Sequence, residues 1–211
     1  MPDDRITYMV LKRQDIQNDL LQLLHPRKGH FLTESGRHTN LWFEIDKLFI
    51  NVDLIKPIVN VLGEKLMTHR FDIICGPMEG GARIAEMISK EFGVEYVYSE
   101  RRVTFDKNDV KPLVSYSIPK FMRDRIEGKR IALVDDIINA GAAIKQTFEE
   151  LIRLEAIPVV MGCLLVKGNL IYPFATGHNL PIEEITKLKN NMWIPQECPL
   201  CVSKQPIERV Y

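Results

Sequence analysis

Apolar residues recur along this chain at two periods, and the alternation between them sketches the fold. Residues 15–25 carry Ile16, Leu20, Leu23 and Leu24 at the spacing of one helix face. From Asp53, read as an N-cap, the same spacing returns with Ile55, Ile58, Val59, Leu62 and Leu66. Short apolar runs over 71–75, 94–99, 130–134 and 158–166 read as strands. Helices are expected over 82–92, closed by Gly93, and after residue 143, with Ile144, Phe148, Leu151 and Ile152 on the inner face. Strands and helices therefore alternate between residues 71 and 166. That order predicts an α/β fold in which a parallel sheet carries helices on both faces. Ligands of such sheets bind outside the carboxyl ends of the strands.

Two of those strand ends lead into loops with chemistry. The run Ile131-Ala132-Leu133-Val134 is followed by Asp135-Asp136, then by Asn139-Ala140-Gly141-Ala142-Ala143 and a helix. Free backbone N–H groups and the helix dipole make the start of that helix a place for a phosphate. The adjacent carboxylates are suited to sugar hydroxyls or to a magnesium ion. Acids at strand ends and small residues at helix starts are each common in ordinary folds. In this order they point together to a phosphorylated ribose. The second loop, Gly76-Pro77-Met78-Glu79-Gly80-Gly81, lets main-chain N–H groups approach an anion closely. Glu79 is an unexpected charge there; it either acts through magnesium or points to solvent.

Composition narrows the alternatives. With 211 residues, 45% of them hydrophobic, the chain can build one sizeable core, or a core with a small appended hood. Lys plus Arg and Asp plus Glu number 28 each, so bulk charge does not favour nucleic acid. No apolar run approaches membrane-spanning length, and the first residues lack a secretory pattern. A cytoplasmic protein without nucleic-acid or membrane partners is expected. Of four cysteines, Cys75 and Cys163 sit in apolar runs and read as buried hydrophobes. Cys198-Pro199-Leu200-Cys201 is a lone CxxC, and no second pair or His pair has matching zinc spacing. A local turn is expected there, with a zinc shared across a dimer, or His178 as a further ligand, as the alternatives. No metal ligated directly by protein is expected.

The segment around Asp135 and Asp136 resembles the phosphoribosyl pyrophosphate (PRPP) motif of type I phosphoribosyltransferases. The resemblance implies that family's fold: one domain over 1–211, with a core over about 53–168 and a hood from 1–52 and 169–211. It implies that Asp135 and Asp136 hold the ribose, that Asn139, Ala140, Gly141, Ala142 and Ala143 cradle the 5′-phosphate, and that Gly76, Gly80 and Gly81 belong to the pyrophosphate loop. Arg101 and Arg102, with Lys107 and Lys111, lie where the family carries a mobile catalytic loop; read by itself this stretch is a solvated hairpin. The segment Gly29-His30-Phe31-Leu32-Thr33-Glu34-Ser35-Gly36-Arg37-His38-Thr39 and the Cys198–Cys201 tail resemble the orotate branch. Arg37, Asn139 and Lys167 are then the base-binding candidates. The family usually has Thr at the positions of Asn139 and Ala142, often Lys at Glu34, and Arg at Lys167. The resemblance implies a magnesium-dependent transfer of a ribosyl phosphate from PRPP to a nucleobase, orotate first, by a homodimer. Another base, or a PRPP-binding regulator without chemistry, are the alternatives.

Overall fold

Residues 15–33, 35–104, 113–189 and 192–210 are described by a computed structural model of the chain. Helix α1 covers 15–23. Strands β1 (Pro26–Leu32) and β2 (His38–Phe43) form an antiparallel hairpin, and a 3-10 turn, Ile45–Phe49, leads to α2 (Val52–Leu66). The core follows as β3 (Ile73–Pro77), α3 (Gly80–Phe92), β4 (Glu95–Thr104), β5 (Leu113–Ser117), α4 (Lys120–Arg123), β6 (Arg130–Ile138), α5 (Ala142–Arg153), β7 (Ile157–Lys167), α6 (Tyr172–Gly177) and β8 (Ile182–Leu188). Strand β9 (Met192–Trp193), helix α7 (Pro199–Val202) and strand β10 (Glu208–Arg209) complete the tail.

Six strands make the main sheet in the order β5-β4-β3-β6-β7-β8, parallel except for the β4–β5 hairpin. The expected α/β architecture is what forms. Period-two alternation along β6 divides the core: Ala132 and Val134 pack with α2 and α3 residues such as Leu62, Leu66, Ile84 and Ile88. Ile131 and Leu133 pack on the other face with Ile144, Phe148 and Leu151 of α5. After β3 the chain adds β4 on one side and then β6 on the other. The carboxyl ends of β3 and β6 therefore flank the topological switch point, where ligands of such sheets bind.

Several boundaries differ from the expectations. Asn51 caps α2, its side chain accepting from the Asp53 N–H at 3.2 Å, so the helix starts before Asp53. Strand β3 lies two residues later than expected, and α3 opens at Gly80. Gly93 closes α3 in the left-handed conformation, as expected. Ile152 is exposed; Thr147 and Glu150 are buried in its stead on α5. Residues 182–188 extend the main sheet as β8, so only part of the segment after residue 169 lies with the hood. The smaller sheet has the order β10-β1-β2-β9 and joins the N-terminal hairpin to the tail. Among the described residues, no helix is long and apolar enough to cross a membrane.

Candidate functional site

The carboxylate pair sits inside a strand, not beyond its end. Strand β6 continues through both acids because β7 pairs with it as far as Ile137↔Leu165 and Ile138↔Val166. The turn to α5 is left with Asn139, Ala140 and Gly141 only. Gly141 makes that turn with φ +77°, and Ile171 Cδ1 lies 2.6 Å from where a Cβ would stand. A side chain is excluded there on both counts.

Asp135 and Asp136 are buried. Asp135 Oδ1 accepts from the Asp136 N–H at 3.0 Å, and Asp136 Oδ1 accepts from the Ile137 N–H. Burial, and then the neighbouring Asp136 charge, hold the Asp135 carboxyl well above the usual carboxylate range. A cation or a pair of hydroxyl donors placed against these acids would relieve that cost.

Both acids line one pocket together with Asn139, Ala140, Gly141, Ala142 and Ala143 from the α5 turn, and with Pro77, Met78, Glu79 and Gly80 from the α3 turn. Neither α3 nor α5 has a side-chain hydrogen bond capping its N-terminus. Two sets of helix N–H groups thus open on one cavity, each with the positive end of its dipole toward it. The Asn139 side-chain oxygen is buried there with no hydrogen-bond partner. Gly76 and Gly81 do not line the cavity. They brace its floor, since a Cβ on Gly76 would fall 2.1 Å from the Gly81 carbonyl oxygen. The Met78–Glu79 peptide is cis. Glu79 points to solvent, with a 3.8 Å ion pair to Arg83.

The opposite wall comes from outside the parallel core. Thr33, Ser35, Trp42, Tyr116 and Val210 complete the pocket. Thr33 Oγ1 donates to the Arg37 carbonyl at 2.9 Å and lies 3.0 Å from Ser35 Oγ, which fixes the turn after β1. Sequence reasoning located this segment but missed Trp42 and Tyr116. Their only signal was an aromatic residue in each strand-like run, which does not distinguish a pocket wall from a core.

The remaining candidates divide. Arg101, on β4, borders an adjoining cleft with Asp136, Gly80, Trp42 and Tyr116. Arg102, the next residue of the strand, pairs with Glu100 at 3.6 Å and lines neither cavity. The β4–β5 hairpin confirms the solvated-hairpin reading for its arms; Lys107, Lys111 and also Glu34 lie outside the described residues. Arg37 is half-buried and close enough to Lys145 to help lower that ammonium's pKa, after burial as the main cause, but it does not line the pocket. The structure does not bring Lys167 to the pocket wall either. It is buried, donates to the Leu41 carbonyl at 2.8 Å, and lies 5.2 Å from the Phe43 ring centre. Burial lowers it to about 8.

The phosphoribosyl transferase domain family matches residues 48–171. The chain is 27% identical over 180 residues to an orotate phosphoribosyltransferase of Caldanaerobacter subterraneus, covering 85% of this chain and 87% of that one. It is 28% identical over 162 residues to the enzyme of the same name from Bartonella bacilliformis, covering 75% and 78%. In fold it is similar to orotate phosphoribosyltransferase from Aeropyrum pernix (TM-score 0.59, 16% identity, 83% of this chain and 93% of that one). It is similar also to adenine phosphoribosyltransferase from Trypanosoma brucei (TM-score 0.63, 15% identity, 82% and 79%).

Proposed function

Because the chain belongs to the phosphoribosyl transferase domain family, by its match over residues 48–171, we propose that it transfers the ribosyl phosphate of PRPP to orotate, giving a nucleoside monophosphate and pyrophosphate. One observation carries this reading. The uncapped N-termini of α3 and α5 open on the same pocket, with Asp135 and Asp136 between them. A ligand with two phosphate-bearing ends and a diol in the middle satisfies all three features. Orotate is preferred over other bases because the relatives compared over most of the chain carry that name, whereas the fold alone is shared with an adenine enzyme.

In this reading the amides of residues 139–143 hold the 5′-phosphate. Gly80 and the start of α3 hold the pyrophosphate. Asp135 and Asp136 accept hydrogen bonds from the ribose hydroxyls and, through space, offset the positive charge that develops at the anomeric carbon as the pyrophosphate leaves. Arg101 reaches the leaving group from β4, whereas Arg102, held by Glu100, stays away from it. The base stacks near Trp42 and Tyr116, with Thr33 and Ser35 as polar partners. Asn139 borders phosphate and base together, while Arg37 acts on the base from behind this wall and Lys167 holds the hood in register. No protein nucleophile is needed; orientation supplies much of the acceleration. The buried acid pair, with its raised Asp135, fits a magnesium ion accompanying the diphosphate. When bound, that ion neutralises charge on the leaving oxygens. The proposal includes a homodimer and a place in pyrimidine nucleotide synthesis.

Pyrophosphate release measured with PRPP, magnesium and a panel of bases tests this reading. Orotate-dependent release supports it. Release with another base alone corrects the substrate, and PRPP binding without release for any base replaces the enzyme by a regulator.

A further inference from the structure

The tail and the N-terminal hairpin meet at four side chains that the transfer reaction does not use. His30 on β1, His38 at the start of β2, and Cys198 and Cys201 of the CxxC bring one ligand atom each to within 4.8 Å of one another. His30 Nε2 lies 3.0 Å from His38 Nδ1, 3.5 Å from Cys198 Sγ and 3.7 Å from Cys201 Sγ. Cys201 Sγ is 3.2 Å from His38 Nδ1. We infer that His30, His38, Cys198 and Cys201 form a structural zinc site that fastens the C-terminal tail to the β1–β2 hairpin.

Geometry favours a metal over a hydrogen-bonded cluster. With usual Zn–N and Zn–S bonds, the edges of a ligand tetrahedron are about 3.3 to 3.8 Å long. The two His30–sulfur separations, 3.5 and 3.7 Å, fall at that length, and the other two, 3.0 and 3.2 Å, are slightly shorter, so a small outward shift of the ligand atoms would seat an ion. Two sulfur and two imidazole ligands form a closed set, with no position left for water or substrate. His30 is also oriented for the task. Its Nδ1 lies 2.8 Å from the Gln205 carbonyl, which can only accept. The ring proton therefore sits on Nδ1, and the Nε2 lone pair faces the other three ligands.

Among the described residues, the tail beyond β9 has few other anchors; one is the Val210 N–H, which donates to the Leu32 carbonyl at 3.2 Å. Residues 203–209 are all exposed. Strand β10 makes a two-residue parallel pairing with β1, through Phe31↔Glu208 and Leu32↔Arg209. The Arg27–Glu208 ion pair beside it is solvent-exposed. Contacts of that kind do not order a terminal segment, whereas metal binding contributes directly to folding. The tail nevertheless reaches the candidate pocket, where Val210 forms part of the wall. The cluster is complete within one chain, so no dimer-shared metal is required. His178 takes no part: its Nδ1 lies 2.9 Å from the Phe174 carbonyl, and its ring packs on Phe148 and Phe174. Sequence spacing hid the site, because the histidines are eight residues apart across a hairpin and 160 or more from the cysteines.

The full chain, reduced and stripped of metal, is titrated with Co2+ and then with Zn2+. The site predicts visible bands of tetrahedral cobalt with thiolate charge transfer, saturating at about one ion per chain and bleached by zinc. The Cys201→Ser and His38→Ala variants should each lose the tetrahedral spectrum. In the unsubstituted protein, hydrogen exchange over residues 195–210 should rise when zinc is chelated and fall when it is restored. Absence of those cobalt bands in the reduced unsubstituted chain overturns the site, as does a spectrum unchanged in both variants. Neither reading depends on transferase activity, and the unsubstituted chain decides the matter if a variant fails to fold.

Discussion

Gly80 and Asp136 face one another so closely that a Cβ on the glycine would fall 1.5 Å from Asp136 Oδ2. The start of α3, the proposed pyrophosphate end, is thereby fixed to the acid pair, the proposed ribose end. Gly80→Ala should fold, because a carboxylate tip can swing aside. Turnover should nevertheless fall by about 10²-fold, since displacement of roughly 1 Å at a reacting centre has that effect. Thermal unfolding and steady-state kinetics on one preparation check this. Unchanged kinetics would mean that Asp136 is not held in position for the reaction.

The acid pair sets activity against stability. Because the folded Asp135 pKa is raised, the folded state retains a proton that the unfolded chain has released above the ordinary carboxylate range. Stability is therefore lost as pH rises from the ordinary carboxylate range through the raised folded pKa. Asp135→Asn keeps an oxygen for the Asp136 N–H and removes the buried charge. We predict a Tm at neutral pH higher by about 2–4 °C per kcal/mol relieved, together with loss of turnover of about 10²-fold or more. A lowered Tm would contradict the electrostatic account of the pair.

Much of this arrangement was legible in the sequence. A strand, two acids and small residues at the start of a helix are local features, and their order specifies the pocket floor. Less legible was the continuation of β6 through Asp135 and Asp136, which depends on the pairing of Ile137 and Ile138 with Leu165 and Val166. Ile152 was misplaced because Leu151 and Phe148 already fill the inner face of α5, leaving Ile152 beyond the stripe. The pocket's far wall joins Trp42, Tyr116 and Val210 from three distant segments. Periodicity reports which residues are apolar along one element; it carries no information on which elements converge.

Lys167 connects the end of β7 to the hood through its bond to the Leu41 carbonyl. Its ammonium is lowered from 10.5 to about 8 by burial. Between these values the unfolded chain holds more protons, so stability rises with pH across that window, by up to about 3 kcal/mol in total. Denaturant unfolding from pH 8 to 10.5 should show this rise in the unsubstituted protein and not in Lys167→Met. Equal slopes would show that Lys167 is not desolvated.

Arg101 and Arg102 alternate along β4, and only Arg101 borders the cleft with Asp136. Arg101→Ala should lower kcat by about 10²-fold with a smaller change in the KM for PRPP, the pattern of a contact made mainly in the transition state. Arg102→Ala should stay within about threefold of the unsubstituted enzyme, as is usual for a group held away from the chemistry. The reverse ranking would assign the leaving-group role to Arg102.

The most direct test of the account is pyrophosphate release by the full chain with PRPP and magnesium, orotate present or withheld. The account predicts release that requires orotate and is abolished in Asp136→Asn, while PRPP still protects the unsubstituted chain against thermal unfolding. The absence of both release and protection, with every base, would contradict it.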